Sequence, residues 1–533
     1  VVAARARQPE EKQMHLSFID GTIVAVYAVV LFGLAQWVSR SRHGEEKTSA
    51  EYFLASRSLP WWAIGASLIA ANISAEQIVG MSGSGYAIGL AIASYEWMAA
   101  LTLVIVGKWF LPIFLRNEIY TMPQFLEQRF GARIRMLMAI FWLGLYVFVN
   151  LTSIIWLGSL AVNRVAGIDQ TYALIALGAF ALLYQLYGGL RAVALTDIVQ
   201  VSLLVLGGLF ISGLTLSRIG AGAGILAGFE MLVAKAPEHF HMILAPDNPH
   251  YKELPGLAVL IGGMWIANIS YWGCNQYIVQ RALAAKSINE AQKGVIFAAY
   301  LKLLMPFIIV LPGIAAVVLV PDLPRSDMAY PSMMQLLPTG IVGLVFAALI
   351  AAIVSSTASK INSIATIFTL DIYAKTGAPK DEHTLVGVGR ITAVVAIVLG
   401  ILAARPLLGS FDQAFQYIQE YTGFFTPGIV VIFLLGLFWK RANEAGALAG
   451  TVASFVLSIA FKALWPDLPF MNRMGLVFLV ALTIAVVTSL ATPASAASNR
   501  IATRDVSYRT STGFNVGAIG VVLILSALYF AWW

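Results

Sequence analysis

Fourteen apolar stretches, each long enough to cross a bilayer as a helix, make up most of this chain. They fall near 17–39, 60–83, 88–116, 132–168, 170–188, 194–217, 255–280, 289–320, 336–375, 384–404, 406–440, 444–466, 471–492 and 513–533. In hydrocarbon the backbone has no water to bond to, so each stretch must satisfy its N–H and C=O groups internally, as a helix does. The expected fold class is therefore an all-α integral membrane protein, a single transmembrane domain over 1–533. Composition agrees: 59% of residues are hydrophobic and 11% charged, against about 25% charged in soluble domains. The single cysteine, Cys274, excludes an intrachain disulfide. No cleavable signal peptide is evident, because the apolar run after residue 16 is long and lacks a small-residue cleavage site. The opening VVAARARQPEEKQ is polar, and Met14 is the expected native start.

The net charge of +7 reads as topology rather than as a nucleic-acid signal. With the N-terminus outside, the loops 40–59, 117–135, 189–193, 281–293, 375–390, 440–441 and 493–511, together with Arg116, hold 20 of the 34 Lys and Arg. Outer segments hold 11, and Lys108, Lys302 and Lys360 lie within spans. By the positive-inside rule the chain is a multi-pass protein of the cell inner (plasma) membrane with both termini outside. The longest outer loop, 218–254, is expected to carry a surface helix.

Two spans are interrupted by polar residues. One holds SLIAANISAEQIVGMSGSGY (67–86) and the other GGMWIANISYWGCNQ (262–276), and both contain Ala-Asn-Ile-Ser, at 71–74 and 267–270. Five spans separate them. Many secondary transporters consist of two inverted repeats, each with a helix broken at mid-membrane, where free backbone groups bind ions and solutes. The expected repeats are about 60–217 and 255–440, with extra helices at 17–39, 444–466, 471–492 and 513–533. Any one of Asn72, Ser74 or Gln77 can equally well serve only to bond a neighbouring helix; the cluster with Glu76 points to function, since intramembrane ionisable groups generally do.

Several long strings carry a family resemblance: SLPWWAIGASLIAANISAEQIVGMSGSGYAIGLAIASYEWMAA (58–100), YGGLRAVALTDIVQ (187–200), IVSSTASKINSIATIFTLDIY (353–373) and FQYIQEYTGFFTPGI (415–429). The chain resembles the sodium/solute symporter family, and within it the branch of bacterial sodium/galactose symporters and sodium/glucose cotransporters. The likeness runs from about Leu16 to the C-terminus. It implies a LeuT-like fold of two inverted five-helix repeats with two discontinuous helices, and sodium as the coupling ion. The implied sodium ligands are the carbonyls of Ala70, Ile73 and Ala352 with the hydroxyls of Ser355 and Ser356. Oxygen donors suit a hard cation, although a Ser-Ser pair in a helix more often bonds back to the preceding turn.

The resemblance further implies that Gln77, Glu96, Asn268, Lys302 and Gln419 bind the sugar, that Tyr271 with Asn72 closes below it, and that Met81, Tyr95 and Phe415 form the lid above. Amides, a carboxylate and an ammonium match hydroxyls that both donate and accept. Glu96 and Lys302 can also pair purely for structure, since buried charges need partners whatever their role. The chain departs from the galactose symporters at Ala99 (a serine there), Ser270 (a tyrosine) and Lys360 (a methionine). Lys360 follows Ser356 by four residues, on the same helix face. A lysine there either repels the ion, substitutes for it, or pairs with Asp197; pairing is the favoured reading, and Asp197 and Lys360 are the candidate coupling residues.

The expected function is sodium-coupled import of a hexose, galactose or glucose, by alternating access. Two alternatives stay open: a symporter of the same fold for another small solute (an amino acid, vitamin or organic acid), and a membrane sensor that binds sugar without moving it. An enzyme is not expected: the six histidines have no metal-ligand spacing and there is no phosphate-cradling Gly-rich loop.

Overall fold

The break at 73–75 organises the architecture around it. In the computed structural model, residues 16–39, 59–119, 121–187, 190–377, 381–493, 501 and 506–533 are described. Helices occupy all the expected spans, and the described residues contain no strand, only an isolated bridge between Leu59 and Ala285. Nine of the described helices are long and apolar enough to cross a membrane, or eleven when two bent pairs each count as one span. The pairs are Trp61–Asn72 with Glu76–Ala87, bent by 65°, and Ala414–Thr422 with Thr426–Phe438, bent by 47°. Helices Phe18–Ser39 and Gln170–Tyr187 cover two further expected stretches. The span expected at 255–280 is present in pieces: Leu257–Ile261, Gly263–Ile269, a π-helical turn Ser270–Cys274, and Gln276–Leu283.

The first break has a local cause. Asn and Ser side chains compete with the helix for backbone groups, and the chain leaves helical geometry at Ile73 (φ −69°, ψ 104°), between them. The Ser74 hydroxyl accepts the Glu76 N–H at 3.2 Å and so starts the next segment. The second break differs from expectation. Its Ala-Asn-Ile-Ser is still wound, with Ala267 to Ile269 helical and Ser270 opening the π turn, and the backbone leaves the helix only at Asn275 (φ −88°, ψ 125°). The wide turn absorbs the distortion for one more turn before the helix gives way.

The broken first helix lies inside the protein. Helix Ile288–Leu319 packs along both of its arms, and Thr152–Ala166 and Ile341–Thr366 also lie against it. Contact with Ile288–Leu319 is at backbone distance: a Cβ on Gly313 would meet the Ser82 carbonyl at 2.1 Å. At the other end of the fold, the loop after Ile219 carries the helix Ile225–Lys235, as expected, and closes onto the C-terminus, where Met242 N–H bonds the Trp532 carbonyl at 2.8 Å and Phe240 packs on the Trp532 ring. The same loop touches the far arm of the first broken helix. The His239 ring bonds the Tyr86 carbonyl at 3.0 Å. Beside it, Gly89 adopts φ +93°, where a Cβ would meet the His239 carbonyl at 2.4 Å.

Two predictions follow from this packing. Gly313→Ala must push the helix from Ser82, and overpacking of this kind costs about 1–3 kcal/mol; a thermal denaturation series in detergent should show a lower Tm. Burial holds the His239 imidazole below its ordinary value of 6.5, despite the bond its ring donates to the Tyr86 carbonyl. A depressed value means that the folded state loses stability as pH falls below the unfolded value. Tm should therefore fall as pH is taken below about 6.5, and the drop should be smaller in His239→Gln.

Candidate functional site

Between the two broken helices lies one cavity, and the expected binding and gate residues meet on it. Asn72, Gln77 and Met81 come from the first broken helix, Tyr95 and Glu96 from Ser94–Ile105, and Asn268 and Tyr271 from the second broken helix. Lys302 comes from Ile288–Leu319, and Phe415 and Gln419 from Ala414–Thr422. Ala99 and Ser270, two of the departures, also face the cavity.

A charged pair sits at its centre. Lys302 is 1% and Glu96 3% exposed, and the ammonium reaches the carboxylate at 2.5 Å. Lys302 also donates to the Asn72 amide oxygen, and its ammonium lies 5.1 Å from the centre of the Trp272 ring. Asn72 passes the connection on, donating from its amide nitrogen to the Tyr271 hydroxyl at 3.0 Å. Tyr271 in turn accepts from the Tyr277 hydroxyl at 2.6 Å. Asn72 thus links the cavity's only described ion pair to Tyr271 below it, in a chain of five side chains that ends at Tyr277. Above, Tyr95 and Phe415 meet edge to face at 5.1 Å, and Met81 is fully buried beside them. Both sets of expected gate residues are engaged in this structure.

Gln77 and Asn268 are held less firmly. Gln77 accepts from the Ser74 hydroxyl at 3.3 Å, and the Asn268 amide bonds back to the Met264 carbonyl on its own helix at 3.1 Å. Both keep amide capacity for a ligand.

The expected ion ligands are buried where the first break meets helix Ile341–Thr366. The Ser356 hydroxyl lies 3.5 Å from the Ile73 carbonyl. Ala70, Ala352 and Ser355 are buried on the same two segments. A carbonyl released by the break and a hydroxyl aimed at it are a pair of oxygens that suits a hard cation. The pairing of Lys360 with Asp197 cannot be followed, because the Asp197 side chain lies outside the described residues. What the structure does place at Lys360 is aromatic: its ammonium lies 3.9 Å from the centre of the Tyr277 ring and has no hydrogen-bond partner among the described residues.

Several residues on the cavity were given no role by the resemblance. Glu76 reaches the cavity and accepts the Ser153 hydroxyl at 2.5 Å. Asn150 and Trp142 wall the cavity from the span 132–166, and Asn275 lines it at the second break. Asn150 and Tyr146 lie on a π-helical turn, Tyr146–Leu151, which rotates the following side chains out of the 3.6-residue phase. No motif marks that turn in the sequence. Glu76 was visible as an intramembrane acid, but the resemblance gave it no part.

A testable consequence concerns the ion pair. Removing one partner leaves a buried uncompensated charge at a cost of about 3–5 kcal/mol, whereas removing both is far cheaper. Glu96→Gln and Lys302→Met should each lower Tm sharply, and the double variant should recover a large part of the loss in a denaturation cycle.

Known proteins resemble this chain in sequence and in fold. The sodium:solute symporter family matches residues 52–454. The sodium/glucose cotransporter of Vibrio parahaemolyticus is 51% identical over 97% of this chain and 99% of its own length. The human sodium/myo-inositol cotransporter 2 is 33% identical over 82% of this chain and 69% of its length. A solved Na⁺-coupled sialic acid symporter in its substrate-bound outward-open state superposes with a TM-score of 0.76 at 23% identity, covering 90% of this chain and 99% of that one. The chain belongs to the sodium:solute symporter family.

Proposed function

From that membership we propose that the chain is a sodium-coupled symporter that imports a hexose by alternating access across the inner membrane, with both termini outside. One observation carries the reading. Gln77, Glu96, Asn268, Lys302 and Gln419 converge on one cavity between two broken helices, with the Ile73 carbonyl and the Ser356 hydroxyl meeting at the first break. Amide, carboxylate and ammonium groups around a small cavity suit a polyol. The relative from Vibrio, named for glucose, supports a hexose. Myo-inositol, named in the human relative, is the second reading, since a ring of hydroxyls presents similar chemistry.

In this mechanism sodium enters from outside between Ile73 and Ser356 with Ala70, Ala352 and Ser355. Sugar then binds to the five polar residues. Met81, Tyr95 and Phe415 close above it, and Tyr271 releases Asn72 to open below. A site built to bond hydroxyls rejects solutes that lack them, because its buried polar groups would be left unpaired. One Na⁺ crossing 100 mV releases about 2.3 kcal/mol, and a tenfold gradient adds about 1.4. At one-to-one coupling these sustain roughly 500-fold accumulation.

The test is uptake of labelled glucose, galactose and myo-inositol into proteoliposomes with and without an inward sodium gradient. Sodium-dependent accumulation of one of these is expected. Gln419→Ala should weaken uptake mainly through sugar affinity, and Ser356→Ala should raise the sodium concentration needed. Uptake indifferent to sodium would sink the ion site, and binding without uptake would favour a sensor.

A further inference from the structure

Lys360 is 2% exposed, and its ammonium has no hydrogen-bond partner among the described residues. A buried ion in that condition needs compensation from its surroundings. It finds two aromatic faces. The Tyr277 ring centre is 3.9 Å away and that of Tyr146 5.5 Å. A cation over such a face is attracted by the ring quadrupole, more strongly where water is excluded. Among the charges acting on it, the Glu76 carboxylate attracts and the Arg281 guanidinium repels.

These two rings hold the second break. Tyr277 donates its hydroxyl to Tyr271 at 2.6 Å, and Tyr271 accepts from Asn72. Tyr146 donates to the Asn275 side-chain oxygen at 2.6 Å, at the residue where the helix opens. Lys360 itself stands on Ile341–Thr366, one turn beyond Ser356. A single side chain therefore joins the helix of the expected ion ligands to two tyrosines, one bonded to Tyr271 and the other to Asn275 at the second break.

We propose that Lys360 is a positioning residue for the inner gate, its ammonium beneath the Tyr277 and Tyr146 rings latching the lower arm of the second broken helix to the ion-site helix. The proposal rests on reading Tyr271 as the inner gate. A cation between Ile73 and Ser356 stands about one turn from this ammonium and repels it. Ion binding and latching thus oppose each other, and the opposition is reciprocal. The latch is strongest in the ion-free carrier, and a carrier holding sugar without its ion is the species that must not open inward if coupling is to hold.

Ser270 faces the cavity and Cys274 is the only cysteine, so Ser270→Cys with Cys274→Ala makes inward opening readable. A charged thiol reagent applied to inside-out vesicles reaches position 270 when the inner gate opens. In sodium-free buffer, adding Lys360→Met should speed labelling by about tenfold, and Lys360→Arg, which keeps the cation, should hold it near the parent rate. Lys360→Met should also lower the sodium concentration for half-maximal binding several-fold. Labelling unchanged by Lys360→Met would overturn the latch. So would equal acceleration in Lys360→Arg, which would mean that shape and not charge sets the gate. Sugar uptake is read in parallel: labelling as expected with no uptake of any tested sugar would remove the transport reading and leave the latch standing.

Discussion

The structure depends on one constraint: a helix may open in the membrane only where protein replaces the water its backbone has lost. At Ile73 the replacement is a ring of other helices. Ile288–Leu319 covers both arms of the broken helix, close enough that Gly313 leaves no room for a Cβ against Ser82. Helices Thr152–Ala166 and Ile341–Thr366 complete the wall. The break also frees the Ile73 carbonyl, and Ser356 is the group aimed at it. The cost of breaking the helix and the release of an oxygen able to bind a cation are thus the same event.

The second consequence is a polar network that no single helix could hold. Glu96, Lys302, Asn72, Tyr271 and Tyr277 come from separate segments, yet each bonds the next. Where water is excluded, a chain of this kind is stable only if its members are satisfied together. A ligand that draws Lys302 or Asn72 toward itself must therefore change the bond on Tyr271. This gives the cavity a physical route to the gate beneath it, without a long path through the protein.

How much of this the sequence carried varies with the kind of signal. The helical class and the first break were legible because hydropathy and the Asn72-Ser74 pair are local properties. The convergence of Gln77, Glu96, Asn268, Lys302 and Gln419 was legible through the resemblance, since nothing in their spacing brings five helical segments together. The second break was placed a turn early, because a π turn can carry Ser270 to Cys274 before the backbone yields at Asn275. Tyr146 and Asn150 were not legible, since their π turn alters the face they present. The surroundings of Lys360 could not be read either: the tyrosines that take it up lie more than eighty and more than two hundred residues earlier in the chain.

The two buried lysines show how differently one charge can be held. Lys302 is fixed by directional bonds to Glu96 and Asn72. Those bonds set its position closely, which is what the proposed role of orienting hydroxyls requires. Lys360 is held by ring faces and by the field of Glu76. Neither restraint is strongly directional, and an ammonium can slide across a ring without first breaking a hydrogen bond. Directional bonding suits the part of the site that must hold a shape through binding. Diffuse attraction suits the seam between helix Ile341–Thr366 and the second broken helix, where the proposed alternating access would require two packed surfaces to part and meet again.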